Sequence, residues 1–343
     1  MLPSHRKVLR AIRPCRTDAL GGHVYTCSAC DQVQYRYHSC RNRHCPKCQT
    51  ERAQVWLETQ TQFLLPVPYF LLTFTLPKEL RQVARSHQQM IYHLLFRASA
   101  QATQHLALDP RFVGGQIGMI GVLHTWGRTL SYHPHVHYLV PAGGLAAEGW
   151  RPAAKKFLLP VKALSKIFRA RFRDGLRKDE SFADVPARVW RQKWVVHCKP
   201  VGDGESALKY LAPYIFRVAI SNQRILRLED SKVTFRYRDT QTGQNRVCKL
   251  AAEEFMRRFL QHVLPKGFVK VRYYGLFSPA KRRELTEVRT RLEDPADRFS
   301  LEEILTEDAD LDQTPTRDCP RCPVCEQPMT HTQRLKPAAC RPP

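Results

Sequence analysis

The sequence lacks a long uninterrupted apolar run. Its longest, Phe63 to Leu76, is broken by Pro66 and Pro68 and is too short to span a bilayer as a helix, so no membrane partner is expected. No apolar segment follows the basic start Met-Leu-Pro-Ser-His-Arg-Lys, so the build of a secretory signal is missing and a cytoplasmic protein is expected. No Gly-x4-Gly-Lys-Ser/Thr loop occurs, which leaves no phosphate cradle for a nucleotide-driven motor. Internal repeats are not evident. Acid is scarce: 31 Asp and Glu stand against 55 Lys and Arg, a net charge of +24 in 343 residues.

That excess favours a polyanionic partner, because each cation that neutralises a phosphate releases condensed counterions. The charge is unevenly spread. Residues 1–52 carry ten Lys or Arg against three acids, and residues 293–312 carry nine acids against one Arg. A binding face and a repelling linker fit this asymmetry.

Twelve cysteines are present, most of them in two terminal clusters. In a chain of this length without a signal, metal explains them better than disulfides. Cys27-x2-Cys30 and Cys45-x2-Cys48 are fourteen residues apart, the spacing at which two thiolate knuckles can close a tetrahedral, structural zinc site. Cys15, Cys40, His44 and His5 could form a second. Arg36, Arg41, Arg43 and Lys47 lie between or beside these ligands, placed to meet a DNA backbone. At the far end Cys322-x2-Cys325 and Cys340, with His331 between, could bind zinc if Cys319 joins.

The middle of the chain has an α+β texture. A connecting helix is expected over Gln49 to Phe63, a strand over Tyr69 to Leu76, and a long helix from Lys78 to about Leu106. Gln116 to Trp126 and His135 to Val140 read as neighbouring strands. A helix at Leu164 to Arg177, a strand at Lys193 to Cys198 and a helix at Ser206 to Ile215 follow. The hairpin Val233–Tyr237 with Arg246–Leu250, a helix at Ala251 to Val263 and a strand at Val269 to Tyr274 complete an order with antiparallel pairs rather than βαβ alternation.

Within this region the run His133-Pro134-His135-Val136-His137 stands out. On a strand, His135 and His137 project to one face and converge on one point. With one further ligand and open positions they suit Mg or Mn, whose remaining shell would be phosphate and water oxygens. That further ligand is either His124, on the strand expected to pair alongside, or His133, at the strand's edge; His124 reaches the ion from beside the pair and is preferred. Tyr210 and Tyr214 are four residues apart, one helical turn, with Lys209, Arg217 and Arg224 nearby to bind phosphate. Pro213 between them is expected to kink the helix.

Four blocks together resemble the rolling-circle insertion-sequence transposases, the two-tyrosine branch of the HUH endonucleases. These are Cys-Arg-Thr (15 to 17) with Leu-Gly-Gly-His (20 to 23); Ser-Cys-Arg-Asn-Arg-His-Cys-Pro-Lys-Cys (39 to 48); His-Thr-Trp-Gly (124 to 127) with His-Pro-His-Val-His (133 to 137); and Tyr-Leu-Ala-Pro-Tyr (210 to 214) with Arg-Val-Ala-Ile-Ser-Asn (217 to 222). The resemblance implies a small zinc-ribbon-like domain followed by a central antiparallel sheet flanked by helices. It makes His135 and His137 the paired metal ligands and Tyr210 and Tyr214 the nucleophiles. The expected domains are a zinc-binding DNA-binding domain at 1–55, a nuclease domain at 64–280, and an acidic linker with a Cys-rich tail at 281–343. The implied substrate is single-stranded DNA at element ends and targets, the implied intermediate a 5'-phosphotyrosine, and any unwinding would come from a host helicase. A replication initiator or relaxase of the same chemistry, and a zinc-ribbon DNA-binding protein that does not cut, are the alternatives.

Overall fold

The computed structural model describes residues 1–48, 50–154, 156–216, 219–239, 242–293 and 320–338, without the side chains of residues 50, 51, 210, 213, 214 and 216. The chain forms two units: Met1–Gln49 with Thr306–Pro343, and Thr50–Leu305.

In the first unit, helix α1 (Pro3–Ile12) precedes strands β1 (Gly22–Cys27) and β2 (Val33–Tyr37). The larger unit then runs through α2 (Thr50–Thr61), β3 (Tyr69–Thr75), α3 (Arg81–Ser86), α4 (Gln88–Ala107), β4 (Gly118–Trp126) and β5 (Tyr132–Pro141). It continues with β6 (Gly143–Ala146), β7 (Gly149–Pro152), α5 (Val161–Leu176), β8 (Val196–Pro200) and α6 (Gly204–Phe216). Its last part is β9 (Ile225–Glu229), β10 (Lys232–Arg238), β11 (Asn245–Ala251), α7 (Ala252–Leu260), β12 (Val271–Gly275) and α8 (Arg282–Glu293). Strand β13 (Met329–Leu335) returns to the first unit, where the sheet order is β13-β1-β2.

The larger unit is α+β, centred on an antiparallel five-stranded sheet of order β12-β4-β5-β3-β8. Alternation along the strands gives the sheet two different faces. Phe70, Leu72 and Phe74 of β3, with Val136, Tyr138 and Val140 of β5, enter the main core beneath α4 and α5, which contribute Tyr92, Leu95, Phe96, Phe168 and Phe172. Each such buried side chain contributes about 1.5–3 kcal/mol relative to its exposed state. Polar atoms in this layer are paired: Tyr138 Oη lies 2.8 Å from Ser99 Oγ, and Tyr92 Oη 2.6 Å from Tyr132 Oη, so burial there leaves no hydroxyl stranded.

The opposite face carries Tyr69, Ile120 and Leu139, packed with Ala207, Leu208 and Leu211 of α6 and Leu285, Val288 and Leu292 of α8. Gly204 sets the start of α6 directly on the Tyr69 ring: a Cβ there would lie 2.7 Å from Tyr69 Cε2. From that seat α6 packs on β3, β5 and β4, and against α2.

Three expectations change. The helix expected over 78–106 is interrupted, because His87 leaves helical geometry (φ −120°, ψ 47°) and α4 starts afresh at Gln88. Helix α6 spans Gly204–Phe216 rather than the expected Ser206 to Ile215 and runs on past Pro213. The tail expected as one piece from residue 281 is divided: α8 joins the core of the larger unit, whereas β13 pairs along the whole of β1. Among the described residues no helix is long and apolar enough to cross a membrane.

Candidate active site

His135 and His137 sit on β5, two residues from Leu139, on the face that α6 covers. The register sets His124 of β4 opposite His135, and Val122 opposite His137. One ligand nitrogen from each of His124, His135 and His137 lies within 4.8 Å of the others. The rings stand edge to face: the His124–His137 centroids are 4.6 Å apart and those of His135–His137 4.8 Å.

Two contacts fix how the imidazoles point. His135 Nδ1 donates to the His133 carbonyl at 2.6 Å, which leaves the Nε2 lone pair for a ligand. Thr73 Oγ1 engages His137 Nδ1 at 2.8 Å, which orients that ring and, with Oγ1 accepting, leaves its Nε2 for a ligand as well. Such outer partners are what holds a metal-binding histidine in one tautomer and one orientation. Burial holds all three imidazoles in the neutral form needed for ligation: it drives His137 down to about 4. It takes His124 and His135 well below the usual histidine range, helped in each case by the neighbouring His137. The donor set therefore fits a divalent cation with open positions.

Of the two residues considered as third ligand, His124 is the one in the cluster. His133 is turned to Arg81, whose Nη2 donates to His133 Nδ1 at 2.8 Å. Around the trio, Trp126 stacks on His124 at 5.0 Å, and Lys270 Nζ lies 4.8 Å from the Trp126 ring centroid. Thr73, Trp126 and Lys270 were not singled out from sequence. For Thr73 a signal exists: Leu71-Thr73-Thr75 alternates with the apolar Phe70-Leu72-Phe74, marking a more polar face on that strand.

The helix expected to supply nucleophiles is α6, which carries Tyr210 and Tyr214 one turn apart; their side chains lie outside the described residues, as does Arg217. The other two cations expected around the pair are engaged elsewhere. Lys209 forms an ion pair with Glu205 on its own helix at 2.9 Å. Arg224 donates to the carbonyls of Arg236 (2.9 Å) and Arg128 (2.8 Å), tying the β9–β10–β11 sheet to the β4–β5 turn. Nε and Nη2 of Arg224 thus hold backbone.

The cysteines regroup as well. The quartet expected from spacing, Cys27, Cys30, Cys45 and Cys48, is split. Cys45 and Cys48 cluster with Cys15 and Cys40, and Cys27 and Cys30 with Cys322 and Cys325. Two knuckles of equal spacing offer no preference for each other, and the fold decides by placing the loop around Cys40 over Cys15, whose sulfur accepts from the Cys40 amide at 3.4 Å. His44 is therefore replaced in the expected second set; its Nδ1 lies 3.2 Å from Asn42 Oδ1. His5 is likewise outside both clusters. Cys319 and Cys340 lie outside the described residues, and His331 meets His23 Nδ1 at 3.0 Å rather than a sulfur. Arg36, Arg41 and Lys47 are exposed, whereas Arg43 is half-buried.

Residues 1–76 match the family model of a transposase zinc-binding domain, and residues 118–284 that of a putative transposase. The chain is 39% identical over 346 residues to "Putative transposase y4qJ" of Sinorhizobium fredii, covering 93% of this chain and 87% of the relative. It is 30% identical over 286 residues to the "Transposase for insertion sequence element IS801" of Pseudomonas savastanoi pv. phaseolicola, covering 77% and 68% respectively. This chain belongs to the IS91 transposase family. A transposase acts on DNA, and the matched family domain and the cysteine clusters account for structural zinc in the first unit. No solved structure matches.

Proposed function

We propose that this transposase works by a rolling-circle mechanism, cutting and rejoining single-stranded DNA through a tyrosine that becomes covalently attached to the 5'-phosphate. The observation that carries the reading is one of placement: the histidine trio and the helix bearing Tyr210 and Tyr214 occupy the same face of the central sheet.

His124, His135 and His137 would hold Mg or Mn, which when bound supplies Lewis-acid polarisation of the scissile phosphate. A Tyr210 or Tyr214 hydroxyl attacks phosphorus; the P–O3' bond breaks, the 3'-oxygen leaves as a hydroxyl, and the phenolic proton passes to solvent. One phosphodiester replaces another, so the bond energy is stored and rejoining needs no nucleotide. The second tyrosine permits a second cleavage while the first adduct persists, which suits transfer of one strand. Thr73 and the His133 carbonyl keep two imidazoles aimed at one point, and α6, seated by Gly204, carries the tyrosines on the same face of the sheet. Exposed Arg36, Arg41 and Lys47 supply sequence-independent hold on the DNA backbone. Unwinding is left to a host helicase.

The test is to incubate the chain with a labelled element-end oligonucleotide and Mn. A denaturant-stable protein–DNA adduct is expected, and Tyr210→Phe combined with Tyr214→Phe should abolish it. An adduct that survives the double substitution rejects the nucleophiles, and a protein that shifts DNA but never nicks it is a binder.

A further inference from the structure

Residues 1–76 alone match the zinc-binding domain, which leaves the C-terminal cysteines outside the matched segment. Cys322 is nevertheless buried to 1% exposure beside Cys27, which is fully buried. Cys27 Sγ lies 3.4 Å from Cys325 Sγ, and Cys30 Sγ 3.5 Å from both Cys322 and Cys325. With a Zn–S bond of about 2.3 Å, the edge of a tetrahedron of four sulfurs is about 3.8 Å, close to these separations.

The two halves of the cluster are copies of one motif. Cys27-Ser-Ala-Cys30-Asp31-Gln32 and Cys322-Pro-Val-Cys325-Glu326-Gln327 share the pattern Cys-x2-Cys-acid-Gln. In each, the first cysteine's amide donates to the glutamine carbonyl, Cys27 to Gln32 at 2.9 Å and Cys322 to Gln327 at 2.8 Å. In each, the acidic residue's amide returns to the first cysteine's carbonyl, and the acid takes a left-handed backbone, φ 54° at Asp31 and 59° at Glu326. Each knuckle caps an antiparallel pair, β1 with β2 and the Arg321–Pro328 bridge. The repeat went unnoticed in the sequence because its two six-residue copies stand almost three hundred residues apart.

We propose that Cys27, Cys30, Cys322 and Cys325 bind one zinc ion, so that the zinc-binding domain is completed by the C-terminal segment and the chain is closed on itself by metal. The Cys15–Cys40–Cys45–Cys48 cluster binds a separate ion. Pairing of β13 along β1 is the polypeptide side of the same closure, and it sets Arg334 in one cross-strand row with His23 and Arg36.

Zinc counted by native mass spectrometry tests this on the full chain carrying His135→Ala and His137→Ala, so that the histidine trio contributes nothing. The parent should hold two ions. Cys27→Ser with Cys30→Ser should lose one, Cys322→Ser with Cys325→Ser should lose one, and all four together should still lose only one. Full zinc in the C-terminal pair, or loss of two ions only when all four are replaced, overturns the proposal. If either serine pair sheds both ions by unfolding the unit, Cys325→His decides, since it keeps a zinc donor: two ions retained supports the shared site, and fewer contradicts it.

Discussion

The cysteine clusters of the first unit and the histidine trio of the larger unit are built on opposite principles. In the first unit the buried clusters are built around the cysteines themselves: Cys15, Cys45 and Cys48 in one, and Cys27 and Cys322, packed with Met329, in the other. In the larger unit the histidine trio stands on a sheet whose other face is sealed by a large core of aromatic and aliphatic side chains. Metal in the first case supplies folding free energy, because the thiolates meet only when the unit is folded. In the second case the scaffold exists beforehand, and under the proposed function metal would add chemistry.

The largest effect expected from this contrast is on stability. A strong chelator should unfold the first unit, since structural zinc supplies on the order of 10 kcal/mol of apparent binding energy in comparable small domains. Amide exchange should rise throughout β1, β2 and β13 while the central sheet stays protected. Loss of protection in both units would break the contrast.

The histidines should behave conversely. His135→Gln with His137→Gln is expected to lower strand cleavage by about a thousandfold, equivalent to about 4 kcal/mol of transition-state stabilisation. The melting temperature of the larger unit should stay within a few degrees of the parent. Thr73→Val, which keeps the shape and removes the hydroxyl beside His137 Nδ1, should weaken Mn binding about 10–100-fold, measured by calorimetry.

A further expected effect concerns pH. His262 is buried between Thr125 and the Leu130 carbonyl, and burial lowers it to about 4. An unfolded histidine titrates near 6.5, so below that pH the unfolded chain takes up the proton first. Stability of the metal-free larger unit should therefore be unaffected by His262 above pH 6.5. It should fall by about 3 kcal/mol as pH drops from 6.5 to 4. Denaturant unfolding of His262→Gln should show a shallower acid limb.

Much of the larger unit was legible in the sequence because its signals are local. Period-two alternation puts His135 and His137 on one face, and β4 is itself a continuous strand pattern, which made His124 a natural neighbour. The polar alternation at Thr73 was visible, but its role was not, because that depends on the pairing Thr73–His137 between β3 and β5, strands more than fifty residues apart. The cysteine pairing was misread for a related reason. A Cys-x2-Cys knuckle announces half of a site and says nothing about which other half it meets, so spacing favoured Cys45 and Cys48 over a partner from the chain's far end. Arg224 was read as a phosphate ligand from its charge, but its use against backbone carbonyls comes from where β9 and β10 pack.

The proposal that the tyrosines of α6 act with the histidine trio is tested most directly by mapping the covalent adduct. After reaction of the full chain with a single-stranded element-end oligonucleotide and Mn, nuclease trimming and peptide mass analysis should find the nucleotide remnant on Tyr210 or Tyr214, and none when metal is chelated. A remnant on any other residue, or an adduct that forms equally without metal, would contradict the account.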